Sequence, residues 1–217
     1  MLMQRITSGI PGFDKIVGGG IPEGYMVLVS GGCGAGKTVF GMQFLCSHDE
    51  GGIYVSFGEE PDQLREISKG FGWHTDKMEK SKKFRFLRYD PFRIEDIFEI
   101  VENNIKETQA RRIVIDSISS LGVHSDNVSE LRRTLFQLDN LMKKNKCTTI
   151  LVSEITEPGK ISKFGIEEFV CDGVVVLENT LAGTKYKRRM HIMKMRGSEH
   201  SLYAHEYVIT HNGMKVM

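Results

Sequence analysis

The 217 residues carry 29 basic and 28 acidic side chains, a formal net charge of +1, so the chain lacks the global basic field of a nucleic-acid-coating protein. Hydrophobic content of 40% and charged content of 26% are those of an ordinary globular chain. No apolar run is long enough to span a membrane, and the start, MLMQRITSGIPG, lacks the apolar core of a signal peptide. Taken in chain order, the first strand pattern is 25–30, followed by a glycine-rich stretch and then a helical spacing of Phe40, Phe44 and Leu45. Strands follow at 53–57 (IYVSF) and 84–89 (FRFLRY). A helical stripe runs through Ile94, Ile97, Phe98, Val101 and Ile105, before a strand at 112–116 (RIVID). A second stripe runs through Val128, Leu131, Leu135, Leu138 and Met142 and leads to strands at 148–153 and 174–178. Beyond Gly183 the segments 186–195, 202–210 and 214–217 read as consecutive strands, with turns at Gly197 and Asn212-Gly213. This alternation predicts an α/β fold: a largely parallel twisted sheet, helices on both faces, and an antiparallel C-terminal edge. With no repeat and no Pro/Ser linker, one domain over 1–217 is expected. Cys33, Cys46, Cys147 and Cys171 form neither a CxxC pair nor a metal-like cluster, which predicts reduced thiols in a cytoplasmic protein.

Within VSGGCGAGKTVF, Gly31-x-x-x-x-Gly36-Lys37-Thr38 matches G-x-x-x-x-G-K-[ST], with a strand before it and a helix after it. That pattern is a phosphate-binding loop. Backbone N–H groups over Gly34, Ala35, Gly36, Lys37, Thr38 and Val39 can converge on phosphate oxygens, and side chains in the loop would block their approach. Lys37 would reach the β- and γ-phosphates of ATP, and the Thr38 hydroxyl would hold Mg2+. Asp116, ending the apolar strand RIVID, is the second expected metal-holding group, since ligands of open α/β sheets lie beyond the carboxyl ends of the strands. A turn aspartate is the alternative. Glu59-Glu60 end another strand. They read either as a carboxylate pair facing the γ-phosphate, one of them a general base, or as acids at the start of a helix opening at Pro61.

The order of motifs resembles a KaiC domain of the RecA-like ATPase superfamily. TSGIPGFDKIVGGGIPEGYMVLVSGGCGAGKT carries the likeness first. It continues through YVSFGEEP, FGW at 71–73, VIDSISSL, FGIEEFVCDGVVVLEN and KMRGSEH, over nearly the whole chain. A stand-alone, single-domain relative of the archaeal kind is implied. The resemblance implies a RecA-like P-loop NTPase that forms a homo-oligomer, a hexameric ring with ATP between adjacent subunits. One subunit would give the P-loop, the metal ligands and the Glu59–Glu60 pair, with Glu59 the base. Its neighbour would give Lys194-Met195-Arg196. Strand alternation puts Lys194 and Arg196 on one face, although they also read as part of the charged stretch KYKRRMHIMKMR.

The resemblance further implies nucleotide contacts at Gly70, Phe71, Ser198, His200, Thr210 and His211. His211 stands where the family has an acidic residue, and Cys33 where small or hydroxyl residues are usual. Phe71 reads equally as adenine-packing or as core beside Trp73. The stretch Glu167–Asp172 lacks the adjacent Ser and Thr of the family's autokinase domains, which implies ATP hydrolysis rather than autophosphorylation. Lys160-Ile161-Ser162-Lys163 reads as a solvated loop. A signalling protein partner fits this reading. The alternatives are a recombinase-like DNA-binding ATPase, with 119–128 and 156–166 lining a ring channel, and an autokinase.

Overall fold

Successive apolar residues such as Met26-Val27-Leu28-Val29 are all buried only when a strand is covered on both faces. The computed structural model, which describes residues 3–90, 94–120 and 128–217, has that arrangement. Its elements in chain order are β1 (Arg5–Ile6), α1 (Phe13–Ile16), β2 (Ile21–Pro22), β3 (Met26–Gly31), α2 (Lys37–Cys46), β4 (Gly51–Ser56), α3 (Pro61–Gly70), α4 (Thr75–Lys80) and β5 (Phe84–Arg88). There follow α5 (Ile94–Thr108), β6 (Ala110–Asp116), α6 (Val128–Lys144), β7 (Thr148–Glu154), α7 (Glu167–Val170), β8 (Gly173–Ala182), β9 (Lys185–Met195), β10 (His205–Thr210) and β11 (Gly213–Val216).

Nine strands make one sheet in the order β11-β10-β9-β8-β3-β7-β6-β4-β5. The six from β8 to β5 pair in parallel. β9, β10 and β11 continue the sheet antiparallel. β1 and β2 pair apart from it as a short antiparallel ribbon.

Strand alternation divides the apolar residues between two cores. Val27 and Val29 face Phe40 and Phe44 of α2, while Met26 and Leu28 face Val101 of α5 and Leu135 of α6. Each such side chain contributes about 1.5–3 kcal/mol by leaving water. No helix among the described residues is long and apolar enough to cross a membrane.

Three expectations are corrected. The strand placed at 202–210 begins only at His205, and Leu202 and Tyr203 before it are exposed. Val128, assigned to the buried stripe of α6, is exposed at the helix start. Ser162, read as part of a solvated loop, is fully buried. Its hydroxyl lies within hydrogen-bond distance of the carboxylates of Glu167 (2.7 Å) and Glu168, and Glu167 also accepts from Ser153 Oγ at 2.9 Å. The expected channel loop 119–128 falls largely on 121–127, outside the described residues.

Candidate active site

The glycine-rich loop joins the end of β3 to the start of α2. Gly31 is required by packing: a Cβ there would lie 2.5 Å from the carbonyl oxygen of Leu177 on β8. Gly36, the N-cap of α2, has φ +90°, a left-handed conformation that costs any residue with a side chain. Lys37 Nζ donates to the carbonyls of Gly31 (2.9 Å) and Gly32 (3.0 Å), so the ammonium lies over its own loop. On the other side of the loop, the Tyr207 hydroxyl of β10 donates to the carbonyl of Ala35 at 2.5 Å.

A cleft of about 220 Å³ is lined by Lys37, Thr38, Ser56, Glu59, Asp116 and Glu154, among others. Thr38 Oγ1 donates to Asp116 Oδ2 at 3.0 Å, joining the helix that follows the loop to the end of β6. Burial raises the Asp116 carboxyl above its ordinary value, opposed by hydrogen bonds from Tyr54 and Thr38 and by the charge of Lys37. Ser56 pairs with Asp116 across β4 and β6 and shapes the turn that follows it. The Glu59 N–H donates to Ser56 Oγ at 2.9 Å, and Ser56 Oγ donates to the Glu59 carbonyl at 2.8 Å. This brings Glu59 into the cleft. Its Oε2 is enclosed without a hydrogen-bond partner among the described residues. Burial, then the charge of Asp116, raise the Glu59 carboxyl above its ordinary value.

Glu60 goes elsewhere. It is the N-cap of α3, in a capping box with Gln63, and it pairs with Arg88 at 2.8 Å on the surface. The two adjacent carboxylates thus stand in different places, Glu59 in the cleft and Glu60 at a helix cap.

Lys194 and Arg196 do reach one common surface. Lys194 Nζ donates to the Glu168 carbonyl at 2.7 Å, and Arg196 donates to Asp172 Oδ1 (3.0 Å) and to the Phe169 carbonyl (3.3 Å). Arg196 stands one residue beyond the end of β9. Burial, then the neighbouring Arg196, lower the Lys194 ammonium. The sheet register fixes where this pair lies. Met195 pairs with Gly173, which is level with Val27, whereas the loop begins at Gly31, level with Leu177 four residues along β8. At about 3.3 Å per residue, the backbone at Met195 is offset about 13 Å along the strand direction from the start of its own glycine-rich loop.

The other expected contacts are dispersed. Phe71 stacks on Trp73, with centroids 4.8 Å apart, and both are half-buried. Gly70 and His211 are exposed. Ser198 Oγ accepts from Arg5 at 2.7 Å, His200 Nδ1 lies 3.1 Å from the Ser201 carbonyl, and Thr210 Oγ1 donates to the Gly213 carbonyl at 3.2 Å.

This sequence and fold have known counterparts. A family model described as "ATPase: KaiC" matches residues 6–217. The chain belongs to the KaiC ATPase family. It is 34% identical to the UPF0273 protein of Thermotoga maritima, covering 99% of this chain and 96% of that one. It is 36% identical to the circadian clock oscillator protein KaiC of Synechococcus elongatus, covering 99% of this chain but 44% of that one, so it spans about half the length of such clock relatives. The crystal structure of a KaiC-like protein from Pyrococcus horikoshii superposes with a TM-score of 0.91 at 36% identity, over 99% of both chains. The fold of this KaiC-family chain is therefore RecA-like, a mixed α/β sheet with antiparallel C-terminal strands.

Two polar residues in or behind the cleft escaped the sequence reading. Glu154 ends β7, which lies between β3 and β6, and so reaches the cleft between the glycine-rich loop and Asp116. Its signal was the polar residue closing the apolar run TTILVS. Tyr54 donates its hydroxyl to Asp116 Oδ2 at 2.5 Å from inside the sheet, and nothing in IYVSF marks it out from core.

Proposed function

We propose that residues 1–217 form one Mg2+-dependent ATPase domain. It hydrolyses ATP at the interfaces of a hexameric ring of its own copies, and nucleotide state sets conformation or assembly for a signalling partner. The observation that carries the hydrolytic reading is the convergence on one cleft beside a glycine-rich loop of Lys37, Thr38, Asp116 and Glu59 Oε2, the last without a partner among the described residues. Hydroxyl and carboxylate oxygens are the donors Mg2+ prefers, so Thr38 and Asp116 suit it. When bound, the metal supplies charge neutralisation for the β- and γ-phosphates. The chain's own residues do the rest. Loop N–H groups and Lys37 hold the phosphates, and Glu59 orients the attacking water and takes its proton.

The shared site is supported by the opposite placement of the two half-sites. A Lys194–Arg196 pair whose backbone is offset about 13 Å along the strand direction from the start of its own loop is well placed to serve a neighbour's. A contact joining one end of a subunit to the other end of the next repeats until a ring closes. Gly70, Phe71, Ser198, His200, Thr210 and His211 would complete the nucleotide contacts.

The test is solution mass with and without ATP and Mg2+, paired with a phosphate-release assay. A nucleotide-stabilised hexamer that releases phosphate is expected. A monomer at all ATP concentrations contradicts the ring, DNA-stimulated turnover points to a recombinase-like activity, and label retained from γ-labelled ATP points to an autokinase.

A further inference from the structure

We propose that Tyr54 is a positioning residue for the Mg2+ site: its hydroxyl fixes the Asp116 carboxylate, which in turn orients the Thr38 hydroxyl toward the metal. The proposal rests on the reading of this cleft as an MgATP site. Tyr54 is fully buried on β4, the strand beside β6, so its ring stands behind Asp116 rather than in the cleft. It packs against Phe86, with centroids 6.0 Å apart. On its other side α2 lies close to the sheet, and a Cβ on Gly41 would come within 3.7 Å of the Tyr54 ring and 2.8 Å of Val114. The ring is thus held by a strand neighbour and a helix, and its hydroxyl meets Asp116 Oδ2 at 2.5 Å.

The hydrogen-bond polarity makes this more than packing. The Thr38 hydroxyl donates to the same oxygen at 3.0 Å, so neither bond engages Oδ1. A threonine that gives its proton to Asp116 keeps its oxygen lone pairs for a cation. Asp116 receives that proton in the right direction only while its own carboxylate plane is held. Tyr54 holds it from the sheet. A phenylalanine would fill the same buried space without a polar group to satisfy, and the cost of the hydroxyl is offset by the carboxylate it orients.

The test is Tyr54→Phe, with binding of a fluorescent ATP analogue followed as MgCl2 is raised, and again in EDTA. Groups behind a metal ligand typically change metal affinity by about 10–100-fold. Since Thr38 still holds Oδ2, about a tenfold rise in the half-saturating Mg2+ is expected. Binding in EDTA should stay within about twofold of the parent, since the phosphate loop is untouched. Placed on Asp116→Asn, the same substitution should add nothing, because its route runs through the carboxylate. An unchanged Mg2+ midpoint overturns the proposal. So does an equal loss in EDTA, which would mark a structural role, or a full further effect on Asp116→Asn. Failure of the underlying reading looks different: the parent chain itself would bind the analogue without any Mg2+ dependence, or not at all.

Discussion

Separating Glu59 from Glu60 gives the sharpest test of the chemistry. Glu59→Gln keeps the side-chain shape and removes the base. General-base catalysis contributes about 10²–10⁴-fold, so turnover should fall at least about 100-fold, a rise of about 3 kcal/mol in the barrier. Binding of ATP should persist, because the loop and Lys37 are untouched. Glu60→Gln predicts the opposite. Its partners are the capping box with Gln63 and an ion pair with Arg88 whose side chains are 53% and 54% exposed. An amide still accepts at the cap, and an exposed pair is worth about 0–1 kcal/mol. Turnover should stay within about twofold and stability within about 1 kcal/mol. Phosphate release, fluorescent-ATP titration and thermal melts on both single variants decide the matter. Equal inactivation by the two substitutions would refute the geometric separation, and a Glu59→Gln chain with parental turnover would refute the base.

Lys37→Ala should abolish tight nucleotide binding in the same titration, since the ammonium offsets phosphate charge; undiminished binding contradicts the P-loop reading. Gly36→Ala forces a side chain into φ +90° and a Cβ to within 2.5 Å of Ile209 Cδ1. A cost of about 1–2 kcal/mol should lower the melting temperature by about 2–8 °C, and no change would contradict the backbone requirement. Burial, then the charge of Asp116, raise the Glu59 carboxyl above its ordinary value. A base works deprotonated, so turnover should be complete above that raised value and lost as pH falls through it; an acid limb at or below the ordinary carboxylate range contradicts the assignment.

Much of the fold was legible because buried parallel strands write themselves as continuous apolar runs, as in RIVID and TTILVS. The glycine-rich loop was legible because its glycines answer a local demand, close approach at Gly31 and positive φ at Gly36. What escaped notice depends on partners distant in sequence. Glu59 and Glu60 are equivalent as adjacent letters, and only the Ser56 turn and the start of α3 send them apart. Tyr54 reads as core because its partner Asp116 is on the next strand. Ser162 reads as solvated because the carboxylates that bury it come from α7. The ribbon of β1 and β2, with two residues each, is too short to show a period.

The central claim is that each ATP is handled by two copies of the chain, and mixing two defective variants tests it most directly. Arg196→Ala has an intact P-loop and no finger, and Lys37→Ala has the finger and no P-loop. Each should be inactive alone. Mixed from dissociated subunits and reassembled with ATP and Mg2+, they should regain part of the parental phosphate release, because some interfaces join an intact loop to an intact Arg196. Recovery of nothing from properly mixed subunits would contradict the shared site and leave Arg196 acting within its own chain or as a surface charge.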